Sequence, residues 1–140
     1  MTHPVLVDVP ARRVAGLAIR TSFDTVAREA GPLWQRALAS GLAARGPLFG
    51  VYAEYDSDFR GAYTMLIGTE GGAGERVIEL PAGRYARFPA DGDPAVAVAQ
   101  AWSDINGGWP DRERRSYVAD FELHGVRGPG TCDIYVGVRD

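Results

Sequence analysis

Lysine is missing from this chain: all fifteen basic residues are arginine, set against eighteen acidic ones, for a formal net charge of −3. The arginines are interspersed with Asp and Glu and form no basic cluster. Nucleic-acid affinity rests on concentrated positive charge that neutralises phosphates, so this balance argues against direct nucleic-acid binding. The lack of lysine reads as compositional bias, alongside abundant Ala and Gly, and carries no function. Cys132 is the single cysteine, which excludes an intrachain disulfide and a cysteine metal cluster. No apolar run approaches the ~20 residues that span a bilayer. Met1-Thr2-His3-Pro4 leads into a strand-like segment without the charged and then apolar stretch of a secretory signal. A cytoplasmic protein with no membrane partner is the expectation.

What is present is globular. A length of 140 residues with 46% hydrophobic and 24% charged side chains suits one domain, 1–140, with a full core. Arg13 to Arg20 reads as a strand, with Val5 to Val7 as a lead-in. Val26, Ala30, Leu33, Trp34, Ala37, Leu38 and Leu42 recur at helical spacing, predicting a helix over about 25–43, with Asp24 as N-cap and a kink or late start at Gly31-Pro32. Strands follow at 48–55 and 62–69. Gly71-Gly72-Ala73-Gly74 lacks the Lys-Ser/Thr and the opening helix of a phosphate loop, so it reads as a linker. The order then repeats: strands at 76–80 and 83–89, a helix from Pro94 to about Asn106 behind Asp93, and a hairpin from Tyr117 to Val138. The fold class is therefore α+β, two pseudo-twofold β-α-β-β halves at about 5–70 and 75–140. With the helices backing one side, a ligand cleft is expected on the other, along the join.

The hairpin carries the chemistry. In Asp120-Phe121-Glu122-Leu123-His124, the period of two puts Asp120, Glu122 and His124 on one face and Phe121 and Leu123 on the other. In Asp133-Ile134-Tyr135-Val136-Gly137-Val138, Tyr135 lies on the polar face. This pattern sets the Glu122 carboxylate beside Tyr135, in a polar pocket if the face is covered and on ordinary surface if it is bare. Trp102, Trp109, Tyr117, Tyr85 and Tyr52 are candidate aromatic walls. Trp102 and Trp34 also sit on apolar helical stripes suited to core packing, whereas Trp109 follows the helix stop at Gly107-Gly108 and suits a rim. Tyr63 could join Tyr52 on the opposite wall. Asp120, Glu122 and His124 stand in line at steps of roughly 6–7 Å, a poor arrangement for a metal, so no metal is expected. Cys132 beside Asp133 is a poor nucleophile and reads as structural.

Taken together in order, Pro10-Ala11-Arg12-Arg13-Val14-Ala15-Gly16, Leu33-Trp34-Gln35-Arg36, Ile78-Glu79-Leu80-Pro81-Ala82-Gly83-Arg84-Tyr85-Ala86, Trp102 to Trp109 and the two hairpin strands resemble the GyrI-like small-molecule-binding domains, the bacterial effector-binding domains. The resemblance implies a cleft for drug-like, often cationic or aromatic molecules, with no cofactor. Family-like sequence begins within the first dozen residues, leaving no room ahead of it for a DNA-binding module. Glu122 matches the family's buried acidic position, and His124 stands where the family more often has tyrosine. Ligand capture is the reading this favours. The alternative is hydrolysis of strained cyclopropanoid toxins, with Glu122 as general base and so the one catalytic residue. A second copy of the chain, as a homodimer, is a possible partner, and by the family resemblance so is a protein target such as gyrase.

Overall fold

The structure, a computed structural model, describes residues 3–139, and side chains 94 and 95 are not described. Met1 and Thr2, which open the segment read as free of a secretory signal, and Asp140, the end of the second half, lie outside the described residues. The elements run β1 (Val5–Val9), β2 (Arg12–Ser22), α1 (Val26–Ala39), β3 (Leu48–Ala53), β4 (Ala62–Glu70), β5 (Arg76–Leu80), β6 (Gly83–Pro89), α2 (Pro94–Gly107), β7 (Arg115–His124) and β8 (Cys132–Val138). The α+β class and the order of elements agree with the sequence reading.

Three local expectations shift. Helix α1 runs unbroken past Pro32 from a start at Val26, with Thr25 rather than Asp24 at the N-cap position. It stops at Ala39, short of 43. Proline disfavours a helix interior locally, but Leu33 and Ala37 bury against the sheet just beyond that point. Packing of this kind contributes more to the stability of a helix in a folded protein than local propensity does.

The eight strands form one antiparallel sheet in the order β1-β6-β8-β7-β3-β4-β2-β5. This order is its own mirror image about the β7–β3 seam, so the twofold repeat is built into the sheet. The first strand of each half is exchanged: β1 pairs with β6 and β5 with β2. Only Pro10-Ala11 separates β1 from β2, and only Pro81-Ala82 separates β5 from β6. Two residues reach less than about 10 Å, so the sheet must curl until its two edges approach. Residues from all eight strands then fill its inner face, among them Val9, Val14, Phe49, Val51, Leu66, Ile78, Leu80, Tyr85 and Phe121.

Both helices lie on the outer face. Helix α1 covers Tyr63, Met65 and Ile67 of β4, and α2 covers Ala86, Phe88, Ile134 and Val136 of β6 and β8. This corrects the expected placement of the cleft. The helix-free face is the packed inside of the curl, and the seam strands β3 and β7 meet the gap between the helices on the other side.

Candidate functional site

At the centre of that seam Val51 pairs with Phe121. One step along β7 in either direction lie Asp120 and Glu122, and their partners across the seam are Tyr52 and Gly50. In a sheet, directly opposed residues project to the same side, so Tyr52, Gly50, Asp120, Glu122 and His124 all face the helices.

Glu122 is 2% exposed and carries three hydrogen-bond contacts. The Tyr52 hydroxyl donates to its Oε2 at 2.6 Å, and the Trp102 indole N–H donates to the same oxygen at 2.7 Å. His124 Nε2 lies 2.9 Å from Oε1. An isolated buried carboxylate costs several kcal/mol, and donors aimed at its lone pairs are what make it tolerable. Rings enclose it: Tyr52 meets Trp102 edge-on at 5.1 Å and Tyr63 at 5.9 Å, and Trp34 meets His124 at 4.9 Å. Trp34 and Trp102 are each the ninth residue of a fourteen-residue helix, so the pseudo-twofold brings one tryptophan from each half over the seam.

Gly50 makes room for the carboxylate, because a Cβ at this position would lie 2.9 Å from Glu122 Oε1. Gly50→Ala should therefore displace Oε1 by a few tenths of an ångström and strain its contact with His124 without altering charge. A loss of about tenfold or more in ligand affinity, with a small change in melting temperature, is expected from calorimetry and thermal unfolding. Unchanged affinity would show that the carboxylate's position is immaterial.

Asp120 anchors a second network. Its Oδ2 accepts from Arg115 at 2.9 Å and Tyr55 at 2.6 Å, and its Oδ1 accepts from the Gly137 N–H at 2.9 Å. Arg115 also donates to Asn106 Oδ1 of α2 at 2.6 Å, and its guanidinium lies 4.5 Å from the Tyr117 ring centroid. The ion pair is fully buried. A bulge in β7 between Arg115 and Asp120 brings the arginine round to the carboxylate, and Gly137 lets it close, since a Cβ there would lie 2.7 Å from the Ala119 carbonyl oxygen.

Tyr52 and Tyr55 stay neutral donors. Burial, reinforced by Glu122, pushes the Tyr52 phenol well above its ordinary value and Tyr63 up to about 12. Burial, then Asp120, does the same for Tyr55. A folded state that holds these protons more tightly than the unfolded chain is fully stabilised below about pH 10 and loses that stabilisation as pH rises from there through 12. Urea midpoints should be level between pH 7 and 8, decline slightly to pH 9.5 as the buried Cys132 thiol, also pushed up, loses its share, and fall steeply by pH 11. A level midpoint at pH 11 would contradict the enclosure of these phenols.

Of the side chains singled out from sequence, the structure brings Glu122, His124, Trp102 and Tyr52 together and sets Tyr117 beside Arg115 and Tyr55. Tyr135 does not share a face with Glu122. The register pairs it with Phe121, on which it stacks at 4.5 Å inside the curl. Tyr85 is also on that inner face, its hydroxyl donating to the Pro81 carbonyl. Trp109 is 3% exposed and packs edge-on against Phe88, not at a rim. Gly50, Tyr55 and Arg115 carry no mark in the sequence that singles them out, and the apolar stripe reads Trp34 as core. The equal placement of the two tryptophans in the two helices is the signal that could have found Trp34.

Among the described residues, surface hollows elsewhere include one of about 390 Å³ bordered by Arg20, Glu54, Thr64 and Arg76, and one of about 260 Å³ bordered by Arg12, Phe49 and Leu123. The ion pair of Arg76 with Glu54 spans the first. Neither touches Glu122, whose surroundings are closed by their own rings. The buried, aromatic-ringed carboxylate is the stronger candidate, because the physical cost of burying it calls for a compensating role.

Residues 5–138 match the family of integron-associated effector binding proteins. Protein YobU of Bacillus subtilis (strain 168) is 28% identical over 149 residues, spanning 91% of this chain and 92% of its own length. Among solved structures, an integron cassette protein from the mobile metagenome of Vibrio cholerae superposes with TM-score 0.80 at 23% identity, over 98% of this chain and 96% of that one. SAV2435, bound to tetraphenylphosphonium, superposes with TM-score 0.79 at 17% identity, over 99% of this chain and 94% of that one. No helix among the described residues is long and apolar enough to cross a membrane.

Proposed function

We propose, for a chain that belongs to the family of integron-associated effector binding proteins, that it captures lipophilic cations between its two helices, with the Glu122 carboxylate as charge selector. The observation that carries this reading is a carboxylate 2% exposed whose described hydrogen-bond and ring neighbours are phenols, indoles and an imidazole, with no arginine among them. The rings suit a flat or aromatic cation, each worth roughly 0.5–2 kcal/mol beneath a positive charge. Tyr52, Trp102, Trp34 and His124 are only half-buried, so rotation of these side chains is the route by which a ligand would reach the carboxylate. SAV2435 binds tetraphenylphosphonium on the same fold, which makes that ion the natural probe.

Isothermal calorimetry of the protein with tetraphenylphosphonium should give one saturable site in the micromolar range, about −8 kcal/mol. No saturable heat up to millimolar ligand would remove the proposal.

Hydrolysis of strained electrophiles remains the second reading, since Glu122 would serve there as general base. Such a base must reach a water within about 3 Å, and both Glu122 oxygens already have hydrogen-bond partners. Capture is therefore favoured over turnover. Mass spectrometry after incubation with a cyclopropanoid electrophile should show no water adduct, and an adduct formed catalytically would reverse the order of the two readings.

A further inference from the structure

Glu122, His124 and Cys132 bring one carboxylate oxygen, one imidazole nitrogen and one thiol to within 4.8 Å of each other. Periodicity along β7 offers only the in-line set of Asp120, Glu122 and His124, which suits no metal. The β7–β8 register changes the set. Cys132 pairs directly with His124 across the strands, and Asp120 is withdrawn by Arg115, Tyr55 and the Gly137 N–H.

From this convergence we infer that Cys132 Sγ, His124 Nε2 and Glu122 Oε1 form a three-ligand site for a zinc-like divalent ion, leaving one tetrahedral position for water or an added ligand. The inference shares Glu122 and His124 with the capture of organic cations, adds Cys132, and does not rest on that reading.

Geometry supports it first. Tetrahedral coordination with zinc bond lengths of ~2.0 Å to oxygen and nitrogen and ~2.3 Å to sulfur puts the N···O edge near ~3.3 Å and the N···S edge near ~3.6 Å. The corresponding separations are 2.9 Å and 3.9 Å, so these two edges need to move by a few tenths of an ångström, and the carboxylate-to-thiol edge, within 4.8 Å, closes by side-chain rotation. His124 Nε2 is the nitrogen that faces both partners.

The surroundings support it too. Tyr52 and Trp102 both hold Oε2, which leaves Oε1 turned to the imidazole; donors of this kind fix a metal-binding carboxylate's orientation. Trp34 packs edge-on against the His124 ring. Charge favours it as well. In the metal-free protein the Cys132 thiol is buried close to the Glu122 carboxylate. Binding breaks the S–H bond, releases that proton to solvent and forms the sulfur–metal bond with no change of oxidation state. The His124 proton sits on Nδ1 in the bound form. A thiolate and a carboxylate around a divalent ion sum to zero, a better buried charge than a lone carboxylate. The nitrogen, oxygen and sulfur set selects zinc, cobalt or copper over magnesium or calcium.

The test is anaerobic titration of metal-free protein with Co²⁺ under a non-thiol reductant, followed by absorption. The expected result is a thiolate-to-cobalt charge-transfer band that saturates at one ion per chain and is displaced by one equivalent of Zn²⁺. Cobalt affinity should fall by more than about 100-fold in Cys132→Ser and in Cys132→Ala, with near-ultraviolet circular dichroism used to confirm that each variant is folded. Absence of the band in the native protein, or its persistence in either folded variant, would overturn the site. Tetraphenylphosphonium binding, measured on metal-free protein, separates the two proposals. Retained phosphonium binding without a cobalt band removes the metal site alone, and a cobalt band without phosphonium binding removes organic-cation capture alone.

Discussion

Glu122→Gln should lose about 100-fold in affinity for a lipophilic cation while the protein becomes no less stable. The size follows from Coulomb's law. A cation about 6 Å from the carboxylate, at an effective dielectric near 20, gains roughly 3 kcal/mol, and about 1.4 kcal/mol is tenfold. The amide keeps nearly the same shape, and its oxygen can still accept from Tyr52 and Trp102, which approach one side of the group. What it removes is a buried charge with no formal countercharge among its described hydrogen-bond partners apart from His124. Removing such a charge is neutral or stabilising in general. Affinity and stability therefore move apart, a pairing that a purely structural glutamate would not give. Calorimetry and urea unfolding on the same preparation check both halves.

Asp120→Ala should do the reverse, costing about 3–5 kcal/mol of stability. That is the usual loss when one partner of a buried ion pair is taken away, and it is a large part of a typical ~5–15 kcal/mol. Arg115 would be left as a buried cation, since both members of the pair are almost wholly enclosed, and Tyr55 and the Gly137 N–H would lose their acceptor. The two networks adjoin on β7, yet only one is internally charge-balanced. Asp120 has its counterion within the fold, and Glu122 lacks a permanent one. The double variant Asp120→Ala/Arg115→Met should recover a substantial part of the loss, because the stranded cation goes with it. Urea unfolding of the three variants reads this coupling. A double variant less stable than Asp120→Ala by the full cost of a second buried deletion would contradict it.

The sequence made the elements of this fold readable but not their faces. The alternation of Asp120, Glu122 and His124 along β7 was legible, as was α2, because both are local periodicities. Which face of β8 joins that row depends on register, and a shift of one residue turns every side chain over. Hence Tyr135, polar by its place in its own strand, lies against Phe121 inside the curl. The exchange of β1 and β5 between halves is non-local and left no periodic mark. It closes the helix-free face and moves the candidate site to the helix side. Trp34 and Trp102 show the same limit. An apolar stripe at helical spacing marks the buried side of a helix, but not whether a carboxylate lies under it.

Glu122 is the point on which function turns, and the sign of the bound charge tests it most directly. Tetraphenylphosphonium and tetraphenylborate share size and shape and differ in charge. Their affinities should be measured for the native protein and for Glu122→Gln. The native protein should prefer the cation by about 100-fold or more, and in the variant that ratio should collapse towards one. An equal preference for the cation in both proteins would mean that Glu122 does not select the ligand.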